Sequence, residues 1–578
     1  MKQQLFRLYG FVRSFCHPHE LFAAWKSIFD ERVYDNDSHL QIAADWLLYM
    51  QNEDGGYSRK FSFITGRDKS YIETTGYIVP TLLQLPQEKY KNSALEAGEW
   101  LLKIQNRDGS FSEIDNNQPF VFDTGQVLLG LNALYLYTQD QRYKQALIKA
   151  AHWLVEVQEE DGSWQRFAYN RQKHTYYSRV AYALYEAGEL SEIEIFKQNA
   201  LKNVEWVISN QLPNGFFRYA SFLETAPPFL HTIVYVLEGL LDIYNKTKEE
   251  KVLDAVLKNA TKLKEAGVQR DFILCSQYDE TFDCVNKERC ITGLAQWAGV
   301  ALRLYGLTND ESFLQSASTT LFYLKAKQIR SSSMQGGFSA SIPFWGRYGG
   351  FDFVNWSNKF FIDALLLYNK IGLSKTKEQE YYVASSFGIG QKAVTDTISV
   401  MDAKYLTCVK RYLTDKEQTV LDVGCGKGVI INELAKEYEK SRFFGVDPVF
   451  ESGNIQRGSV YSIDGEYDIV MSFEVLQHTY VDEALRSIYK ALKPKGKIFI
   501  GERNPVSVLG LLKPFYELGG KWMYPFDSAF RERWYSKREW EIILKRNGFR
   551  IENICFLENE KGKIPKMNRY FFIVGEKV

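Results

Sequence analysis

Two patterns of apolar and polar positions divide the chain. Across the N-terminal two thirds, apolar helical stretches come in pairs. One line of sequence returns four times: DWLLYMQNEDGGYSRKF from Asp45, EWLLKIQNRDGSFSE from Glu99, HWLVEVQEEDGSWQRF from His152 and EWVISNQLPNGFFRYA from Glu205. The tryptophans at 46, 100, 153 and 206 lie about 53 residues apart, a period that marks an array of one supersecondary unit. Each unit predicts a helix closing on W-L-x-x-x-Q or its valine variant, a DG or NG turn with an aromatic residue, and a second apolar helix such as Asp123 to Tyr137. Two weaker units follow, with second helices at Ile291 to Tyr305 and Asn355 to Tyr368. Six helical hairpins predict an (α/α)6 toroid with the second helix of each pair inside.

Towards the C-terminus short buried strands alternate with helices. Thr419 to Val423, rich in β-branched and apolar side chains, predicts a buried parallel strand. A helix over Val429 to Lys440 leads to SRFFGVDPVF, a strand ending in Asp447, and Asp468 opens the strand YDIVMSFEVLQH. Val481, Ala484, Leu485, Ile488, Tyr489 and Leu492 recur at the spacing of an amphipathic helix. LKPKGKIFIGE reads as turn and strand, Ser536 to Glu539 as a capping box whose helix stops at Gly548, and NRYFFIVGEKV as a last strand. The two regions meet at IGLSKTKEQE, residues 371–380, where aromatic density falls and charge rises. The expected division is a toroid over 1–372, a linker over 373–384 and an α/β Rossmann-like domain over 385–578.

Charge and composition narrow the function. The 71 basic and 71 acidic residues cancel, which leaves no electrostatic footprint for nucleic acid. No apolar run is long enough to span a bilayer, so no integral membrane segment is expected. The first twenty residues mix charges with apolar side chains and lack a small-residue cleavage site, which argues against a signal peptide. An amphipathic helix on a membrane surface is the alternative reading there. Seven dispersed cysteines, an odd number, fit a reducing compartment better than a disulfide framework, and a cytoplasmic location is expected.

The most specific chemical signal is TVLDVGCGKG, residues 419–428. Alternating glycines after a strand let the backbone approach a ligand and adopt positive φ, and the following helix adds its positive end. The spacing is GxGxG, not the GxGxxG of dinucleotide folds. DVGCGKG resembles motif I of class I S-adenosylmethionine-dependent methyltransferases. That resemblance implies S-adenosylmethionine as cofactor. It places Gly424, Cys425 and Gly426 against the cofactor, with Asp422 fixing the loop or the methionine amine. Asp447, about 20 residues past the glycines as one helix and one strand require, falls at the ribose hydroxyls. Ser459 or Tyr461 stands where the family has an acidic residue for the adenine, Ser459 being the candidate to accept from it, and Phe473 borders the cofactor at the end of the next strand. VLQH resembles the family's VLEH run, making His478 the candidate base for a hydroxyl acceptor, which is a poor nucleophile unaided. Glu502 and Arg503 are candidates for holding the acceptor, and Trp522 belongs to an aromatic insertion of about 30 residues that would roof it.

The repeat resembles the QW motif of terpenoid cyclases and protein prenyltransferases, which implies that Trp46, Gln51, Trp100, Gln105, Trp153, Gln158, Trp206 and Gln211 are structural. The DxDD aspartate of class II cyclases is absent from the sequence, which argues against triterpene cyclisation. Cys284, Cys290 and His231 match no standard zinc spacing, and no metal is expected. Toroids that act on glycans join aromatic platforms to acid and base groups. The inner-helix mouths here offer Glu73, Asp123, Tyr176, Tyr177, Arg179, His231 and Lys359, and the loop GGFSASIPFWGRYGGFDFVNW offers Arg347 and Tyr348 as parts of a ligand-facing lid. His231 also reads as a core histidine and Asp123 as a helix cap. The expected function is S-adenosylmethionine-dependent O-methylation of a saccharide in cell-surface glycan biosynthesis, with the toroid binding or modifying that saccharide. The alternative is a small-molecule or isoprenoid methyltransferase whose toroid is a scaffold or lipid-binding module.

Overall fold

The structure, a computed structural model, describes residues 2–29, 35–113, 118–268, 273–372, 398–448, 450–461, 463–476, 479, 481–503, 536–557 and 570–578. Two compact units divide it, one of Met1–Asp30 with Asp35–Ile371, the other running from Gly372.

In the first unit, α1 (Lys2–Ser14) and α2 (Pro18–Phe29) precede six helical hairpins: α3 (Asn36–Tyr49) with α4 (Ile72–Leu83), α5 (Glu88–Ile104) with α6 (Val121–Thr138), α7 (Gln141–Glu156) with α8 (Ser178–Ser191), α9 (Glu194–Ser209) with α10 (Leu230–Thr247), α11 (Glu250–Val268) with α12 (Ile291–Thr308), and α13 (Glu311–Lys327) with α14 (Asn355–Ile371). Each even-numbered helix packs on the next, and α14 returns to α4, so six inner helices close a ring. The inner helices are buried along most of their length, as α6 and α10 show. A helix packed on several sides reads as apolar nearly all round, whereas the outer helices keep one polar face.

One side-chain amide repeats around the ring. Gln51 Nε2 donates to Gly55 O and to Ser93 O on α5, both at 2.9 Å. Gln105 joins Gly109 to Ala146, Gln158 joins Gly162 to Asn199, and Gln211 joins Gly215 to Ala255, at 2.7–3.1 Å. Each glutamine thus ties its own turn to the next outer helix. The turn glycines have φ of 90–97°, and a Cβ on any of them would come within 2.8 Å of a carbonyl oxygen of that helix. Gln328 repeats the clamp in the last turn, donating to Gly336 O at 3.1 Å and to His39 O on α3 at 3.2 Å, so the ring's ends are joined. The tryptophans at 46, 100, 153 and 206 are buried.

The turn between α11 and α12 is instead crossed by a disulfide, Cys275–Cys284. The odd, dispersed cysteine count had pointed to free thiols throughout. Nine residues separate this pair, and a short antiparallel ladder of Gln277–Tyr278 on Cys284–Asn286 brings them together, a local geometry that a count cannot reveal.

In the second unit, α15 (Val400–Val409) precedes a seven-stranded sheet of β1 (Thr419–Val423), β2 (Arg442–Asp447), β3 (Ile455–Arg457), β4 (Tyr467–Phe473), β5 (Leu492–Arg503), β6 (Phe549–Leu557) and β7 (Tyr570–Lys577). Its order is β3-β2-β1-β4-β5-β7-β6, with β7 antiparallel to both neighbours and the other pairings parallel. The helices α16 (Val429–Glu437), α17 (Val481–Ala491) and α18 (Lys537–Arg546) belong to the same unit, and α18 starts at the Ser536–Glu539 capping box. β1 is buried at all five positions, hence its unbroken apolar reading. The chain switches direction across the sheet between β1 and β4, which opens a crevice at their C-terminal ends.

If the glutamine clamp holds the ring, Gln158→Ala loses two hydrogen bonds worth about 1 kcal/mol each, lowering the toroid's thermal midpoint by several degrees. Gln158→Glu, which turns a carboxylate oxygen in place of an N–H donor towards two carbonyl oxygens, should cost more. Equal midpoints for all three proteins in calorimetry would show that the clamp is dispensable.

Candidate functional site

The crevice of the second unit is built by the glycine loop between β1 and α16. Gly424, Gly426 and Gly428 have φ of 74°, 55° and 75°. A Cβ on Gly424 would sit 2.4 Å from Val475 Cγ2, just past β4, so both conformation and space require glycine there. The Gly424 N–H donates to Val446 O at 2.7 Å, pinning the loop to the end of β2. There the buried Asp447 carboxylate accepts from the Gly426 N–H at 2.9 Å through Oδ2 and from the Phe450 N–H at 3.0 Å through Oδ1. An acidic group aimed across a glycine loop is the arrangement that a ribose diol needs.

Asp422 is almost fully buried within β1, and burial, with the nearby Asp447 and Asp402 charges, holds its carboxyl well above the usual range. A buried acid kept neutral in this way can ionise when a cation arrives. The half-buried Cys425 thiol is also pushed up, by burial and by Asp422 and Asp447, and stays a thiol. Ser459 is buried beyond β3, its hydroxyl accepting from the Tyr461 N–H at 3.3 Å. The Phe473 ring lies between Tyr405, at 4.6 Å and 7°, and Phe572, at 6.2 Å and 26°. That packing occupies the ring and leaves the backbone of Phe473 to border a ligand. Glu502 is buried at the end of β5. His478, Trp522 and the side chain of Arg503 lie outside the described residues.

The toroid has a second candidate site. Its outer-to-inner connections are long and its inner-to-outer connections short, as Tyr49 to Ile72 and Thr138 to Gln141 show, so the long loops gather where the inner helices begin. Aromatic rings form a collar there: Phe122 lies 5.4–5.5 Å from Tyr176, Tyr177 and Tyr235, while His231 lies 4.3 Å from Tyr235 and 5.4 Å from Tyr348. Glu73 and Asp123 enter this collar from the neighbouring helices α4 and α6. Asp123 is buried, and its Oδ2 has no hydrogen-bond partner among the described residues. Burial and the Glu73 and Glu113 charges push the Asp123 carboxyl well up, against the pull of Arg59. Glu73 is pushed up to about 7 by burial, opposed by Arg59, Arg179 and a hydrogen bond with Tyr71. The pair therefore holds at least one proton at neutral pH.

Beneath the collar a polar chain crosses the ring. His231 Nδ1 meets Gln296 Oε1 at 2.7 Å, Gln296 Nε2 donates to Glu238 Oε2 at 2.9 Å, and Arg179 donates to Glu238 at 3.1 Å and to Gln126 Oε1 at 3.3 Å. Below it a cavity of about 320 Å³ is lined by residues that include Tyr77, Glu186, Asp242, Arg303 and Asp363. Burial lowers His231 to about 3, so its imidazole is neutral and engaged, which favours the core reading. Lys359 is paired with Asp363.

The aromatic loop departs from the expected lid. Phe344 and Trp345 pack on Phe11 of α1, at 6.2 and 5.4 Å, and Trp25 of α2 stacks on Trp345 at 5.6 Å. Arg347 is exposed, and its backbone N–H donates to Glu288 at 2.6 Å. Tyr348 does join the collar. Sequence reasoning missed Tyr235 and Glu238, which lie four and seven residues past His231 and so share its helix face. Among the described residues no group of three or more His, Cys, Asp or Glu is placed to hold a metal, and the disulfide removes Cys284 from any such set.

Comparison with known proteins separates the same two regions. A methyltransferase domain model matches residues 398–554, and a squalene-hopene cyclase C-terminal domain model matches residues 61–238. Drimenyl diphosphate synthase of Streptomyces showdoensis is 26% identical over 123 residues, a match covering 21% of this chain and 21% of that protein's length. Among solved structures, an unsaturated glucuronyl hydrolase specific for heparin aligns over 58% of this chain and 97% of its own, at 16% identity and a TM-score of 0.48. The magnesium protoporphyrin IX methyltransferase of Synechocystis PCC 6803 with bound SAH aligns over 35% and 100%, at 15% identity and a TM-score of 0.27.

Calorimetric titration of the full chain with S-adenosylmethionine tests the loop. Asp447→Ala should weaken binding at least ten-fold, given about 1.5–3 kcal/mol for a hydrogen bond to a charged group; unchanged affinity would remove Asp447 from the site. If Asp422 meets the cationic methionine end, binding releases its proton, so affinity rises with pH until the raised pKa is passed, and Asp422→Asn abolishes that slope. The sheet order, the glycine loop and both domain models lead to one assignment: the chain carries a toroid of the squalene-hopene cyclase C-terminal type and a class I S-adenosylmethionine-dependent methyltransferase domain.

Proposed function

We propose that this methyltransferase acts on a small hydrophobic acceptor of the polyprenyl class, and that the toroid binds that substrate and carries out acid–base chemistry on it. The observation that carries this reading is the Glu73–Asp123 pair, with the unpartnered Asp123 Oδ2 buried inside an aromatic collar. A carboxyl kept protonated at neutral pH can donate a proton, and its neighbour can take one back. Ring faces suit an unsaturated or cationic carbon skeleton. The matches to a cyclase domain and to drimenyl diphosphate synthase support a lipidic substrate. Parts of the expected saccharide site are otherwise engaged: Phe344 and Trp345 pack on α1 and α2, and Arg179 is paired with Glu238.

For methyl transfer, bound S-adenosylmethionine supplies an electrophilic methyl carbon, so the protein contributes proximity and orientation. Gly424 and Gly426 bring backbone to the cofactor, Asp447 exchanges its two backbone donors for the ribose hydroxyls, and Ser459 faces the adenine. His478 takes the proton of a hydroxyl acceptor, and Glu502 borders that acceptor.

A second reading, methylation of a saccharide in cell-surface glycan biosynthesis, is favoured by a groove of about 490 Å³ between α9 and α10. Tyr219, stacked on Trp206 at 6.0 Å and 27°, faces that groove with Arg218, Glu224, Asp279 and Glu280, a platform and charges suited to a sugar.

Methyl-labelled S-adenosylmethionine, incubated with the full chain and fractionated lipid and saccharide extracts, decides between them. Label is expected in lipid, and Asp123→Asn should cut toroid-dependent conversion at least 100-fold without changing cofactor affinity. Conversion should also rise as pH passes about 7, where Glu73 loses its proton and becomes able to accept one. Label confined to saccharide, and indifferent to Asp123→Asn, would overturn the polyprenyl reading.

A further inference from the structure

The hairpin α1–α2 carries a concentration of exposed apolar surface. Of eighteen large apolar side chains exposed among the described residues, six lie between positions 8 and 25. Leu8, Val12 and Phe15 are 62%, 60% and 72% exposed; Leu8 and Val12, at i and i+4, share one face of α1, and Phe15 follows in the turn just past its end. Phe22, 69% exposed, and Trp25, 42% exposed, add a second pair at i, i+3 on α2.

A different face of α1 is already anchored. Gly10 lies so close to the Phe351 ring that a Cβ would approach within 2.4 Å. Phe11 packs among Phe344, Trp345 and Phe351 at 5.2–6.2 Å, and Arg7 pairs with Glu288 at 3.1 Å. The helix is therefore held on the toroid with its apolar face turned outward.

Charge identifies what that face meets. Lys2, Arg7, Arg13 and Lys26 against Glu20 give the two helices a formal net charge of +3 in a chain whose charges sum to zero, and +2 remains once the Arg7–Glu288 pair is set aside. Glu20 is itself engaged by Ser333. An apolar face beside cations, with Tyr9 and Trp25 as amphipathic rings, is the composition of helices that lie in a bilayer interface. No helix among the described residues is long and apolar enough to cross a membrane, so the contact is with the surface. We infer that α1–α2 dock the chain on an anionic lipid bilayer, with Leu8, Val12, Phe15 and Phe22 entering the acyl boundary and Arg13 and Lys26 meeting the headgroups.

Flotation of the full chain with phosphatidylcholine vesicles, with and without phosphatidylglycerol, tests this. The chain should float with the anionic vesicles. The triple variant Leu8→Gln, Phe15→Gln, Phe22→Gln, whose positions face solvent, should keep its thermal midpoint and lose at least ten-fold in partitioning. Arg13→Gln with Lys26→Gln should erase most of the preference for phosphatidylglycerol, about five-fold per cation. Absence of flotation, equal flotation of the triple variant, or a concentration-dependent dimer that the triple variant abolishes would each overturn the inference.

Discussion

The toroid depends on one small interaction, a glutamine amide that donates one N–H to the carbonyl of its own turn and the other to the carbonyl of the next outer helix. The outer-helix carbonyl it reaches, on Ser93, Ala146, Asn199 or Ala255, lies inside its helix and offers a second lone pair, so the amide adds a bond between elements instead of replacing one within them. The glycine at each turn is the geometric condition, since a side chain would collide with the helix that the amide reaches. Each hairpin is thereby tied to the next, and Gln328 carries the same link from the last turn back to α3. Between α11 and α12 the Cys275–Cys284 bond and a short ladder organise the described part of the turn.

Ring closure explains why the chemistry collects where it does. With short links at one end and long loops at the other, the start of every inner helix faces a common mouth. Carboxyls from α4 and α6 are brought together there under tyrosine and phenylalanine rings, with their charged forms penalised by burial. The chain from His231 to Gln126 links the polar groups of the floor, and Arg179 packs over Tyr235 and Phe360 at 5.2 and 5.7 Å. Unpartnered polar atoms among the described residues gather at this mouth, at Asp123 Oδ2, Gln126 Nε2 and the Tyr235 hydroxyl, a pattern expected where function, not stability, selects residues.

Much of this was legible in sequence because it is local. The glycine loop, the strand ending in Asp447, the Ser536 capping box and the four W-L-x-x-x-Q lines each write their geometry within a few residues. The parts that were not legible depend on partners distant in sequence. Gln328 lies eight residues before its glycine instead of four, so the fifth clamp escaped the pattern. The loop around Phe344 reads as a lid until α1 and α2 are seen covering its rings. Glu238 and Tyr235 looked like ordinary positions on an apolar helix, and only the closed ring sets them beside Arg179. The cysteine count carried no information on a bridge nine residues wide.

Each unit therefore holds its own site, the toroid a proton-bearing carboxyl pair and the sheet a methyl-donor crevice. The assignment of the donor to the glycine loop underlies every other functional statement. Photolabelling of the full chain with methyl-tritiated S-adenosylmethionine, followed by peptide mapping, tests it most directly. Label in peptides spanning 419–428, 442–461 or 467–476 is the result predicted; label confined to residues 1–371 would contradict it.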